Sequence, residues 1–334
     1  MSSWVRSGAL VGAPELITEL GGDSADLAQA AGIDAAAFKD PDFPVPSGAV
    51  VKFLETAVTA CQCESFGLQL AQRQDLSLLG PLWPLIQNAT TVSEMLQDLA
   101  RYFLLHTTGA LISIESFKQG LMVNYSLATD TGKADRQTME LGIAILVGEL
   151  KKSSPNWRPE QVFFRHSPPR NPNVHRKIFG ANVAFNADRN ALFVDAGMLA
   201  KPYGSGDVIT HQTLATRFGA QRKQLPALLR VQTETVIRSL LPVSACDIAV
   251  AANVLKLSTR SLQRHLTDEN TSFTSLLDAV RADLVLKYLR QSELAIADIA
   301  DILGFSETSA LTRAFRRWYG HSPRHERREA SLAV

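Results

Sequence analysis

Thr308, Thr312, Arg313, Arg316 and Arg317 supply hydroxyl and guanidinium donors that fall on one side of a helix drawn through 308–319. Leu311, Phe315 and Trp318, spaced i, i+4, i+7, fall on the other side and would face a core. Donors of these two kinds on an exposed helix hydrogen-bond to phosphates and to base edges, so the chemistry on offer is recognition of a DNA major groove rather than catalysis. A basic surface helix on an ordinary bundle would look the same, so this face alone does not decide. Six arginines against one acid, Glu326, lie between Arg313 and Arg328, although the formal net charge of the 334-residue chain is only +1. The positive charge is therefore concentrated on and just after this helix.

The elements that must hold that face lie immediately before it. Ile299, Ala300, Ile302 and Leu303 give a short helix an apolar side. Gly304 permits the left-handed conformation that ends a helix abruptly, and Ser306 is expected to cap the next one. Together these make a helix-turn-helix. Ala252-Asn253-Val254-Leu255-Lys256-Leu257-Ser258, 48 residues upstream, repeats the pattern of Ala300-Asp301-Ile302-Leu303-Gly304-Phe305-Ser306. Leu262, Arg264 and Leu266 then correspond to Leu311, Arg313 and Phe315, with one residue inserted in the second copy. The first unit exposes Ser258, Thr259, Arg260, Gln263 and Arg264; the second exposes Ser306, Thr308, Ser309, Thr312, Arg313, Arg316 and Arg317. Ser272–Gln291 reads as one continuous helix between them, with Phe273, Leu276, Leu277, Val280, Leu284 and Tyr288 as its core stripe. Twenty helical residues reach about 30 Å, close to the roughly 34 Å of one DNA turn, so two recognition helices are expected in adjacent major grooves.

Residues 244–328 resemble the DNA-binding domain of the AraC/XylS family of bacterial transcription regulators. The resemblance rests on Ser258-Thr259-Arg260-Ser261-Leu262-Gln263-Arg264, Ser272-Phe273, Ile299-Ala300, Leu303-Gly304-Phe305-Ser306, and Ala314-Phe315-Arg316-Arg317-Trp318 with Gly320-His321-Ser322-Pro323. Lys256 departs from the family's glycine in the first turn, which implies a less rigid first unit; Leu311 replaces a frequent aromatic. Upstream, Leu79-Gly80, Leu99-Ala100-Arg101-Tyr102, Trp157-Arg158-Pro159, Phe164-Arg165-His166 and the stretch from Phe179-Gly180 to Asn190-Ala191-Leu192 resemble the effector domain of the branch containing ornithine-utilisation regulators. The resemblance implies a cytoplasmic, nucleoid-associated regulator, an activator working with RNA polymerase, a homodimer, and a small-molecule effector, amino-acid-like if Arg101 pairs with a carboxylate.

The fold expected is an α+β effector and dimerisation domain over 1–200, a linker region over 201–224, and an all-α domain over 225–334 with two helix-turn-helix units joined by a long helix. Within the first domain, helices are expected at Ala13–Leu20, Ser24–Ala31, Ser47 to Cys61 with Ser47 as cap, Phe66–Gln72, Thr91 to His106 and Arg136–Lys152. Ala110–Phe117 and Leu121–Leu127 read as a hairpin, Gln161–His166 as a strand, and Asn182–Phe185 with Ala191–Val194 as a strand pair. Lys201–Asp207 has the proline and glycines of a loose tether, and His211–Leu240 reads as helix interrupted near Pro226. Leu225, Leu228, Leu229, Val236, Ile237 and Leu240 of its second half are expected in the second core. Polar-tipped aromatics near apolar runs nominate Trp83, Tyr102, His106 and Tyr125, with Arg101, for the effector; each also suits an ordinary core position. The helices at Thr91–His106 and Arg136–Lys152 are candidates for a dimer surface, and core burial suits both equally well.

Three cysteines, Cys61, Cys63 and Cys246, argue against a disulfide framework, and Cys61-Gln62-Cys63 lacks zinc-ligand spacing. No metal or other cofactor is expected. The longest apolar run, Leu141–Val147, is far too short to span a membrane. Gly204-Ser205-Gly206 lacks the full nucleophile-elbow frame, and neither a phosphate loop nor a His-Glu-x-x-His helix occurs. A DNA-bender without a ligand, or an enzyme fused to a DNA reader, remain the alternatives. A bender leaves the 200-residue mixed domain without a role.

Overall fold

The computed structural model describes residues 3–127, 135–180, 182–187, 189–223, 226–241, 246–255, 257–292 and 294–332. The chain forms two compact units, Met1–Leu225 and Pro226–Val334. In the first, the strands are β1 (Trp4–Arg6), β2 (Pro44–Pro46), β3 (Ala110–Phe117), β4 (Gly120–Leu127), β5 (Gln161–Phe163), β6 (Val183–Ala184) and β7 (Ala191–Asp195). Its helices are α1 (Ala13–Glu19), α2 (Ser24–Ala31), α3 (Ser47–Ala60), α4 (Phe66–Ala71), α5 (Trp83–Gln87), α6 (Val92–Tyr102), α7 (Arg136–Ser153), α8 (Asn173–Phe179), α9 (Ala196–Leu199) and α10 (Val208–Lys223).

β1 and β2 pair antiparallel, and the main sheet runs β3-β4-β7-β5-β6. The β3–β4 hairpin forms where alternation and the Lys118-Gln119 turn place it, with Ile112 opposite Tyr125. The expected pairing of 182–185 with 191–194 does not form. β7 instead lies between β4 and β5, and β6 pairs in parallel with β5. Strands this short carry too little pattern to choose a partner; Val162, Leu192 and Val194, all buried, choose it by joining one core.

Thr91 caps α6 by accepting from the Glu94 amide at 3.2 Å, while Glu94 accepts from the Thr90 amide at 2.7 Å. α7 packs against α3, α4 and β4. Eleven of its residues are buried, among them Met139, Ile143, Val147 and Leu150, which explains a helix apolar on most sides. α6 likewise buries Val92, Met95, Leu96, Leu99 and Tyr102. Both helices expend their apolar faces within their own unit, the core role that stood beside a dimer surface for each.

The segment 201–223 is not a loose tether. Lys201 O accepts from the Val92 amide at 3.1 Å, the Tyr203 amide donates to Thr90 O at 3.1 Å, and the Ser205 amide donates to Gln87 O at 2.9 Å. Tyr203 is buried and donates its hydroxyl to Glu149 Oε1 at 2.8 Å. α10 lies against α6: His211 Nε2 is 2.6 Å from Asp98 Oδ2, Tyr102 donates to Ala215 O at 3.1 Å, and Phe218 packs on Tyr102. Glycine and proline content advertised flexibility here, but the backbone bonds and one buried tyrosine hold the segment to the first unit. The interruption expected near Pro226 in the helix over 211–240 occurs there: Pro226 offers no amide to continue a helix and starts the second one.

The second unit comprises α11 (Pro226–Leu240), α12 (Ile248–Val254), α13 (Thr259–Asp268), α14 (Phe273–Gln291), α15 (Ile296–Ile302), α16 (Thr308–Tyr319) and α17 (Pro323–Leu332). Val236 and Ile237 of α11 are fully buried, while Leu225 and the side chain of Leu228 lie outside the described residues. α14 is the spine: α11, α15, α16 and α17 all pack on it. Ser272 caps it, accepting from the Ser275 amide at 3.1 Å.

Candidate nucleic-acid interface and ligand cavity

α12–α13 and α15–α16 are the two helix-turn-helix units, and their turns close in the same way. The Leu257 amide donates to Ala252 O at 2.9 Å, and the Phe305 amide donates to Ala300 O at 2.9 Å. These are equivalent residues of the repeat, joined by the long-range bond of a Schellman ending. Gly304 takes φ +67°, as that ending requires. Its counterpart Lys256 lies outside the described residues, yet the bond across it forms.

Leu262 and Leu266 on α13, and Leu311 and Phe315 on α16, are fully buried. Burying these stripes leaves Arg260, Gln263 and Arg264 exposed on the first recognition helix, and Thr308, Ser309, Arg313, Arg316 and Arg317 exposed on the second. Thr259 and Thr312 are half-buried. Ser258 caps α13, accepting from the Ser261 amide at 3.1 Å. Ser306 is exposed but does not cap α16: the helix starts one residue later, after Glu307, which has no capping bond. Glu307 is engaged otherwise, accepting from Ser309 Oγ and from Arg313 at 3.2 Å, and these bonds hold its carboxyl below the usual range. Arg313 also donates to Ser309 Oγ at 3.2 Å.

Arg317 is tied to the spine, donating to Asp278 Oδ2 of α14 at 2.6 Å. Arg281 was not singled out in the sequence. From α14 it donates to Leu303 O and Gly304 O, each at 2.8 Å, and its guanidinium lies 4.6 Å from the Phe305 ring centre. It thus satisfies carbonyls that the end of α15 leaves open. Arg290 similarly reaches Glu326 Oε1 on α17 at 2.7 Å, and Tyr319 donates to Ala282 O at 2.9 Å. Part of the basic and aromatic content of this unit therefore holds its helices together, and part is exposed on the recognition helices.

In the first unit a cavity of about 120 Å³ lies among α3, α6, α7, β3 and β4. His106 and Tyr125 line it; Trp83, Arg101 and Tyr102 do not. Trp83 sits under Lys152 Nζ, 5.9 Å from the ring centre, Arg101 is exposed, and the Tyr102 hydroxyl is spent on α10. Arg101 and Tyr102 close α6, whereas His106 follows the 3-10 turn of Phe103–Leu105, and only His106 of the three reaches the cavity. Burial, with the charge of Arg6 added, lowers the His106 pKa to about 3, so its imidazole is neutral. Burial pushes the Tyr125 hydroxyl up to about 12. Gly142 of α7 makes room for the tyrosine, since a Cβ there would lie 2.5 Å from the ring.

Ser47 is the first residue of α3 rather than its cap, and its hydroxyl has no hydrogen-bond partner. Gln74 Oε1, His106 Nδ1 and Thr138 Oγ1 are likewise buried and unpaired, and all four residues line the cavity. Elsewhere in the unit, Glu140 is fully buried with Arg136 at 2.8 Å, His175 at 2.7 Å and His166 at 3.2 Å, inside a ring of Phe164, Phe179 and Phe185. Burial lowers the His166 pKa. No metal-binding group of three side chains occurs among the described residues. No helix among them is long and apolar enough to cross a membrane.

A duplicated helix-turn-helix on a helical spine, in a chain that also carries a separate cavity-bearing α+β unit, defines a DNA-binding regulator with a ligand-binding domain. Residues 21–203 match the family described as the arabinose-binding domain of AraC transcription regulator, N-term, and residues 251–329 match a helix-turn-helix domain family. The chain belongs to the AraC family of transcription regulators, not to a family of enzymes. It is 28% identical over 330 residues to the HTH-type transcriptional regulator VirS of Mycobacterium tuberculosis, covering 98% of this chain and 97% of that one. It is 28% identical to the ornithine utilization regulator of Pseudomonas aeruginosa, covering 92% of each chain. The crystal structure of the transcriptional regulator CdpR from Pseudomonas aeruginosa aligns with 91% of this chain and 96% of its own at 21% identity, with a TM-score of 0.45.

Proposed function

We propose that the protein is a sequence-specific transcription activator whose DNA binding is set by a small molecule held in the first unit. It acts in the cytoplasm on the bacterial chromosome, as a homodimer and together with RNA polymerase. The observation that carries this reading is the duplication: α13 and α16 expose equivalent donors, and the 19 residues of α14 between the two units reach about 28 Å, near one turn of DNA. Arg260, Gln263 and Arg264, with Thr308, Thr312 and Arg313, are assigned to base edges. Ser258, Thr259, Ser306 and Ser309 are assigned to the adjoining backbone. Arg316 is assigned to phosphate. Arg317, already bonded to Asp278, is assigned to holding α16 on the spine while reaching phosphate with its remaining donors.

The test is footprinting on a duplex selected from a random pool. Each monomer should protect two major grooves about 10 base pairs apart, and a dimer should protect two such pairs. Transcription from that duplex by RNA polymerase should rise on adding the protein. A single protected groove per monomer would remove the role of one unit; a fall in transcript would make the protein a repressor.

A further inference from the structure

The cavity in the first unit has a chemistry that restricts what fills it. Six lining residues have polar side chains: Ser47, Gln74, His106, Thr107, Tyr125 and Thr138. The remaining walls are aliphatic, phenyl or glycine, and no Asp, Glu, Lys or Arg contributes. Thr107 is spent, donating to Trp4 O at 2.7 Å and accepting from the Gly109 amide at 2.9 Å. Ser47, Gln74, His106 and Thr138 each keep a buried polar atom unpaired. Ser47 is 6% exposed and His106 3%. A buried polar atom left unpaired costs about 1–3 kcal/mol, so several around one cavity point to a group within it that hydrogen-bonds to them.

We infer that this cavity is the effector site and that its ligand is a small uncharged molecule, an apolar ring or short chain bearing one or two oxygen functions that meet the free groups of Ser47, His106 and Thr138. The inference rests on the reading of the first unit as a sensor and adds the ligand's class. A charged ligand is disfavoured, because a carboxylate or ammonium taken into these walls would find no counter-charge. His106 does not provide one, since its burial and the nearby Arg6 keep the ring neutral. Arg101, the cation that would have suited an amino acid, is on the surface. A sugar is disfavoured too, because each hydroxyl needs a partner and most of the wall has none to give. The size limits the ligand to about one ring: at about 120 Å³ the cavity is somewhat smaller than the roughly 150 Å³ apolar cavity that takes up benzene.

The test uses the full chain and five named probes: benzyl alcohol, toluene, benzoate, L-ornithine and L-arabinose. Benzyl alcohol at millimolar concentration should raise Tm in a concentration-dependent way, as binding to the folded state requires, and toluene should do so more weakly. The other three should leave Tm unchanged. In Ser47→Ala/Thr138→Val, benzyl alcohol should bind about two- to tenfold more weakly, the range of one lost hydrogen bond, and toluene should bind as before. Ala110→Leu, which fills the cavity from β3, should abolish both. If one variant does not fold, the other decides. Stabilisation by ornithine, benzoate or arabinose beyond that by benzyl alcohol overturns the proposal. So does the lack of any shift with the neutral probes, which would leave the cavity to water, or unchanged binding in folded Ala110→Leu. Affinity for the selected duplex is measured in the same titrations: binding of benzyl alcohol that leaves DNA affinity untouched would keep the ligand class and sink the sensing role.

Discussion

Arginines of similar exposure on the recognition helices have different surroundings, and substitution should separate them. Arg316→Ala should weaken binding to selected and random duplexes alike and lower the salt slope by about one unit. Gln263→Ala should instead cost about 1–3 kcal/mol on the selected duplex only, as loss of a base contact does. Binding curves over a salt series on both duplexes distinguish the two; a uniform loss for Gln263→Ala would move that residue to the phosphate set. His106 carries a pH dependence. The unfolded chain takes up its proton below about 6.5, while the folded form resists until about 3. Its neutral burial therefore weakens the first unit as pH falls through that window, by about 1.4 kcal/mol per pH unit well below 6.5. His166, also lowered, acts in the same direction. Denaturation of His106→Gln at pH 6.5 and 5 should show a shallower acid loss than the parent chain; an identical loss would mean that other groups set the slope.

Among elements, α14 has the largest structural role. It receives α11, α15, α16 and α17, and its Arg281 closes the end of α15. Arg281→Ala should destabilise the second unit by about 1–3 kcal/mol, the range for hydrogen bonds from a charged donor. Arg281→Lys should recover only part, since an ammonium lacks the planar fork that spans two adjacent carbonyls. Chemical denaturation of 226–334 measures both; a lysine variant as stable as the parent would show that charge alone suffices. The repeat made α12–α13 and α15–α16 legible because spacing survives wherever the same turn must close. It could not show that Glu307 would displace Ser306 from the start of α16, since that depends on side chains meeting across the first turn.

For the molecule, the second unit starts at Pro226, one residue from the expected 225, and 201–223 belongs with the first unit rather than forming a linker. A chain ending at 200 would lose the Tyr203 bond to Glu149, the His211 bond to Asp98 and the packing of Phe218 on Tyr102. A fragment of 1–200 should therefore unfold at a lower temperature than one of 1–223, while 226–334 should fold alone and bind DNA. Equal Tm values for the two longer-unit fragments would make 201–223 a passenger. The effector response should persist only in the full chain, which DNA affinity of 226–334 with and without benzyl alcohol checks.

The residue pattern alone determined the two helix-turn-helix units, the spine between them, the β3–β4 hairpin and the basic exposed face, because each depends on spacing within a few turns or strands of its own residues. It also carried the family. Tertiary structure alone decided the partner of β7, the attachment of 201–223, the clamp made by Arg281 and the membership of the cavity. Trp83, Arg101 and Tyr102 had the right chemistry in the wrong place, while Ser47 looked like a helix cap and Thr138 like an ordinary helix residue. Which side chains surround a cavity depends on contacts between segments as far apart as residues 47 and 138, and local periodicity contains no information about those meetings.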